Sequence, residues 1–195
     1  MCSNFEIKGT PSQLKCRFEL EVQPEIIDKV NLRPTNLALI INSNKKPEFL
    51  TWGIPILRSI NSSKKVIINA RAETLTEKKI FQKIIEKRCV IPATAWFEWR
   101  QQNGYKLKNR ISVENSPIFS FAGLIHKDHF VIITCPPSPS IMHIHNRMPV
   151  ILTSETEERW LNPRLTHTKV AHLLEPSKSA LKIEEEEPLQ RNLLF

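Results

Sequence analysis

Glycine is scarce in this chain, with 4 residues among 195 against 14 prolines. Turns must therefore be set mainly by the fixed φ of proline, not by the freedom of glycine. Long apolar runs are missing as well. Each apolar segment is short and broken by Lys, Asn or Pro, well below the length that spans a bilayer. The first residues lack the basic-then-apolar layout of a secretory signal, so a cytoplasmic protein with no membrane partner is expected. There are 4 cysteines, Cys2, Cys16, Cys89 and Cys135, with no C-x-x-C pair and no Cys/His spacing of a zinc site. Neither a metal nor a cofactor is expected. Thiols in a reducing compartment stay free. Cys89 and Cys135, inside KRCVIPA and VIITCPP, read as small core residues.

What is present is an ordinary globular composition, 41% hydrophobic and 25% charged, long enough for one domain over residues 1–195. The net charge is +8, which favours polyanion partners through steering and counterion release. Glu184 to Glu187 read as a solvated acidic stretch. The chain from about residue 181 onward reads as a poorly ordered tail, although ALKIE (180–184) has strand character.

Runs rich in Val, Ile, Phe and Thr recur between turn-forming residues: LALII (37–41), EFLTW (48–52), KKVIINA (64–70), CVIPA (89–93), IFSFAGLI (118–125), HFVIITC (129–135) and PVILT (149–153). Helical spacing marks TLTEKKIFQKIIEKR, with Ile80, Phe81, Ile84 and Ile85 on one face and Thr74 with Glu77 as a capping box. Shorter helices are expected after Ser154, turning Trp160 and Leu161 inward, at TKVAHLL before Pro176, and around PEIIDKV. Many strands and few helices predict an α+β fold, a β-rich domain whose mixed sheet curls toward a barrel.

Four places carry polar chemistry. A cysteine stands directly behind Met1, where a frayed and idle end would be the ordinary expectation. IINARAET runs a strand straight into Asn69, Arg71 and Glu73. IPATAWFEWR sets Glu98 among Trp96, Phe97 and Trp99; either it alternates outward, or burial raises its pKa and suits it to proton transfer. IMHIHNRMPVIL places His143, His145 and Arg147 on one face if the run is extended, and a histidine beside an arginine could be an acid/base next to an anion site.

The initial MC, NARAET, the proline-to-FEW run and H-x-R-M-P, in that order, resemble the SRAP family, the SOS response-associated peptidases also called abasic site processing proteins. Asn31 to Pro34 (N-x-x-P) and the pair Trp52-Gly53 before a proline match as well. The resemblance implies single-stranded DNA carrying abasic sites as the partner, a DNA-damage enzyme that cross-links to the lesion, and a monomer in the cytoplasm, at the nucleoid if the source is bacterial. It implies Cys2 as nucleophile, Asn69 as orienting residue, Glu98 as proton-transfer carboxylate and His145 as acid toward the sugar ring oxygen. Arg71 and Arg147 are implied as phosphate ligands, and Asn31, Pro34 and Trp52 as DNA-facing residues.

A cysteine at that position has a chemical rationale. Once Met1 is removed, Cys2 offers an α-amine and a β-thiol two carbons apart. An aldehyde condenses with the amine, and the thiol closes onto the same carbon as a thiazolidine. The reference pKa values, about 7.7–8.0 for the amine and about 8.5 for the thiol, leave both poised near neutrality. The chain departs from the family start, Met-Cys-Gly-Arg, by Ser3 and Asn4. Asn4 could still meet a phosphate, without charge. Two other functions remain open on sequence: an N-terminal-nucleophile peptidase, and a noncovalent single-strand binder.

Overall fold

Each of those apolar runs contributes to a strand in a computed structural model of the chain, which describes residues 2–25, 29–56, 65–102 and 104–186. In chain order the strands are β1 Phe5–Ile7, β2 Lys29–Leu32, β3 Leu37–Asn42, β4 Pro47–Trp52, β5 Ile54–Ile56, β6 Lys65–Ile67, β7 Asn69–Arg71 and β8 Arg88–Ala93. They continue with β9 Ala95–Gln102, β10 Tyr105–Val113, β11 Phe119–His126, β12 His129–Cys135, β13 Met148–Pro149, β14 Ile151–Leu152 and β15 Leu181–Glu186. The helices are α1 Pro11–Phe18, α2 Lys79–Gln82, α3 Ser154–Leu161 and α4 His167–Val170.

Five of the strands close on themselves. β4, β3, β8 and β11 pair antiparallel in that sequence, β11 pairs antiparallel with β12, and β12 returns to β4 in parallel. Closure removes free edges, as the expected curling implied. A second sheet, β15-β10-β9-β1-β2, is antiparallel throughout and lies beside the barrel. The fold is β-rich α+β with a barrel-like mixed sheet and a few short helices.

The two sheets share one apolar core. Phe5 of β1 sits edge-on to Trp52 at 5.1 Å and to Phe121 at 5.8 Å, and Trp96 of β9 packs against Phe119 and Phe121. Burying a Phe side chain stabilises by about 1.5–3 kcal/mol, and edge-to-face pairs add about 0.5–1.5 kcal/mol. The start of the chain is thereby pinned three residues after Cys2. Trp52, expected to face DNA, is fully buried here. Its ring lies between Phe5 and Phe130, and its Nε1 donates to the Ile68 carbonyl at 2.9 Å. Gly53 follows it at φ +115°, a conformation only glycine adopts without strain.

Gly123 shows how tightly the barrel closes. A Cβ there would fall 2.4 Å from Ile91 Cδ1 and 2.9 Å from the Val131 carbonyl oxygen, on strands to either side. Gly123→Ala is expected to cost about 1–3 kcal/mol through overpacking, read as a lower urea midpoint with an unchanged m-value.

Several local expectations are corrected. The long helix over TLTEKKIFQKIIEKR is a series of tight turns with only α2 helical. Phe81, Ile84 and Lys87 donate back to residues 78, 81 and 84. That three-residue period aligns the buried Leu75, Phe81 and Ile84, which a 3.6-residue helix would not. Thr74 bonds the Arg71 carbonyl and does not cap Glu77. Around PEIIDKV, residues 26–28 lie outside the described residues, while Lys29 and Val30 belong to β2. The early helix is instead α1, capped by Thr10 with Gln13 in a reciprocal box and opened by Pro11. The helix after Ser154 is α3, with Trp160 and Leu161 inward as expected. Its cap is Thr153 with Thr156, and Glu157 turns inward to grip Arg17 and Ser120. At TKVAHLL, α4 is followed by a 3-10 turn, Ala171–Leu173. Cys89 and Cys135 are buried, as core residues should be. Leu181–Glu186, placed within a disordered tail, is the ordered edge strand β15, paired with β10 over six residues.

Candidate active site

Backbone pairing carries Cys2 to the site. Phe5 and Glu6 pair with Trp96 and Ala95 of β9, and the Phe97 amide donates to the Asn4 carbonyl at 2.9 Å. The chain start therefore runs alongside the strand that bears Glu98. From the other side, β7 lies parallel to β12 in the barrel wall and presents Asn69, whose Nδ2 donates to the Cys2 carbonyl at 2.8 Å. Asn69 thus fixes the main chain of Cys2. Its Oδ1 is buried with no acceptor role filled among the described residues.

Cys2 is completely buried, not frayed. Its thiol lies 4.0 Å from the Asn4 carbonyl. Burial, reinforced by the negative charge of Glu98, pushes the thiol far above its ordinary range. The expectation of a thiol poised near neutrality is corrected: this sulfur is held protonated, and it needs a base to become a nucleophile.

Glu98 is 2% exposed, so of the two sequence alternatives the desolvated one holds. Burial raises its pKa from an ordinary 4.5 to about 7, against the opposing positive charge of the amino terminus. A carboxyl titrating near 7 both gives and takes protons under neutral conditions.

His145 lies with Nε2 3.9 Å from Glu98 Oε2. It does not reach the site on an extended strand, because residues 139–144 form turns. His143 is on the exposed side of those turns. The Arg147 backbone N–H donates to His145 Nδ1 at 3.0 Å, which leaves the proton of the neutral ring on Nε2, facing Glu98. Burial and the amino-terminal charge lower the histidine pKa, so the neutral ring prevails at pH 7. Ser3, Glu98, Trp99, Lys106 and His145 line an opening of about 340 Å³ over this group.

The residues assigned to DNA divide differently. Arg71 is exposed and shares the Asn69 face of β7 by alternation. Arg147 is not a free cation: its guanidinium grips the Glu73 carboxylate through both Nη atoms and the Thr134 carbonyl at 2.6 Å. This pairing holds Glu73 below the usual carboxylate range. Asn4, read as an uncharged phosphate contact, is buried, and its Nδ2 donates to Asn31 Oδ1 at 3.3 Å. Asn31 is exposed at φ +69°, and Pro34 is half-buried in the turn that follows.

A family model described as SOS response associated peptidase (SRAP) matches residues 1–187. The chain belongs to the SRAP family. Among SRAP relatives, abasic site processing protein YoqW of Bacillus subtilis is 37% identical over 85% of this chain and 82% of its own. Abasic site processing protein YMR114C of Saccharomyces cerevisiae is 29% identical over 79% of this chain and 46% of its own. A crystal structure of a Bacteroides thetaiotaomicron protein superposes with a TM-score of 0.81 at 29% identity, covering 94% of this chain and 91% of that one. A Bordetella bronchiseptica protein at 21% identity shares the fold, with a TM-score of 0.82 over 96% and 100% of the two chains. No helix among the described residues is long and apolar enough to cross a membrane, and no group of three or more His, Cys, Asp or Glu there is arranged to hold a metal.

Proposed function

We propose that this SRAP protein processes abasic sites in single-stranded DNA, as a monomer, by trapping the opened sugar covalently on Cys2 as a thiazolidine. The observation that carries the reading is the enclosure of Cys2 between Asn69, which holds its carbonyl, and a carboxyl titrating near 7. The names of its relatives support the substrate class.

The chemistry follows from these groups. Removal of Met1 frees the Cys2 amine. The sugar opens as the bond from its anomeric carbon to the ring oxygen breaks. The anomeric hydroxyl passes its proton to solvent water, the ring oxygen takes one from water while His145 Nε2 donates a hydrogen bond to it, and an aldehyde results. The amine adds to the aldehyde carbon, and protonated Glu98 delivers its proton to the carbinolamine hydroxyl, which leaves as water. That leaves an iminium. The Glu98 carboxylate then takes the thiol proton while sulfur adds to the iminium carbon and the C=N electron pair returns to nitrogen, which keeps its one proton. One C–N bond and one C–S bond form, and one water is lost. General acid–base help of this kind contributes about 10²–10⁴-fold. Arg71 neutralises a phosphate, giving sequence-independent affinity.

Incubation with an abasic single-stranded oligonucleotide should give a heat-stable shifted band on a denaturing gel. Cleavage of a peptide without that band would favour the peptidase, and binding without either would favour a noncovalent module.

A further inference from the structure

Two strands carry the polar residues of the site, and each places an arginine two positions further along the same face. On β7 these are Asn69 and Arg71; on β9 they are Glu98 and Arg100. Arg71 is exposed and makes no ion pair among the described residues. Arg100 is engaged through one N–H. Its Nη2 donates to Glu185 Oε2 of β15 at 2.6 Å, while its buried Nε has no acceptor among the described residues. Glu185 reaches it because the register sets Glu98, Asn109 and Glu185 side by side across β9, β10 and β15. With strands about 4.8 Å apart, the Glu185 carboxylate belongs to the site side of this sheet, about 10 Å from Glu98.

The site is also short of cations. Asn4 brings no charge and is buried, and Arg147 is consumed by Glu73. Lys106, at the rim of the opening over Glu98, makes no ion pair among the described residues and leaves this hairpin one unengaged positive charge. Resting on the reading of a DNA-binding site above, we propose that Arg100 is a phosphate-binding residue of that site and that Glu185 is its internal competitor. The edge strand β15 then occupies with a carboxylate the place a backbone phosphate takes when DNA binds. Both side chains are partly exposed, 29% for Arg100 and 41% for Glu185, so the exchange needs no core to open. A planar guanidinium donates two parallel N–H bonds to a phosphate, a geometry that Lys lacks.

The test is a salt titration of affinity for an undamaged single-stranded oligonucleotide by fluorescence anisotropy, using wild type, Arg100→Gln, Arg100→Lys, Glu185→Gln and the Arg100→Gln/Glu185→Gln pair. Arg100→Gln should weaken binding and lower the slope of log affinity against log salt by about 0.7, the share of one phosphate on a single strand. Arg100→Lys should keep that slope. Glu185→Gln should tighten binding about two- to fivefold, the scale of a partly exposed ion pair, and the gain should vanish in the double variant. An unchanged slope in Arg100→Gln, or a Glu185→Gln gain that persists without Arg100, overturns the proposal. Wild type that binds this strand but never cross-links an abasic one would remove the covalent reading and leave this one standing. Wild type that binds no DNA removes both.

Discussion

Cys2→Ala forms no heat-stable adduct with abasic single-stranded DNA, whereas wild type does. The variant still loses Met1, since alanine is as small as cysteine, and it keeps an α-amine at the same place. That amine condenses to an imine, which reverses on heating. Borohydride should therefore restore a band for Cys2→Ala and for Cys2→Ser, by reducing the imine, and should add little to wild type. The contrast assigns the amine and the sulfur separately, which simple loss of activity would not. Folding should be nearly unaffected, because Phe5 and the pairing of β1 with β9 hold this segment in place. A heat-stable Cys2→Ala band without reductant would mean that another nucleophile acts.

Glu98→Gln should lose about 10²–10⁴-fold in the rate of adduct formation and yet be more stable than wild type at high pH. Burial raises this carboxyl to about 7 in the folded protein. The folded state thus holds its proton more tightly than the unfolded chain does. The sign follows: stability is fullest below about pH 4.5 and is lost as pH rises through 7. Above pH 8 wild type carries the whole cost of a buried carboxylate, about 3 kcal/mol for this displacement. Glutamine carries none of it. Thermal melts should show Glu98→Gln above wild type at pH 8 and level with it at pH 4. The adduct-forming rate of wild type should peak near 7, since the same group must first give a proton and then accept one. A Glu98→Gln protein that is less stable at pH 8, with unchanged rate, would leave Glu98 a structural residue with no part in proton transfer.

The strands were legible because Val, Ile and Phe cluster between turn residues, and burial on both faces of a closed sheet favours such runs. Closure itself depends on the parallel return of β12 to β4, a pairing across 78 positions that no local pattern marks. Asn69 and Glu98 could be singled out because polar groups in apolar strands are costly unless used. Their neighbours misled. Trp52 reads as a surface aromatic only until the barrel forms around it. Arg147 reads as a phosphate ligand until Glu73, far away in sequence, takes its charge. The β9–β10 hairpin carries no apolar signature, because EWRQQNGYKLKNR is polar and charged, and its partner is the acidic β15. Glu184 to Glu186 look like a solvated tail in isolation, yet each meets a cation of that hairpin, Arg110, Arg100 and Lys108 in turn. The T-P-S-Q that opens α1 is itself a capping-box signal.

The most direct measurement is mass spectrometry of the terminal peptide from protein reacted with abasic DNA. The account predicts a peptide beginning at Cys2, without Met1, whose mass is the sum of peptide and sugar remnant less one water, and which borohydride leaves unchanged. A peptide that retains Met1, a remnant attached elsewhere, or an adduct that gains hydrogen on reduction would contradict it.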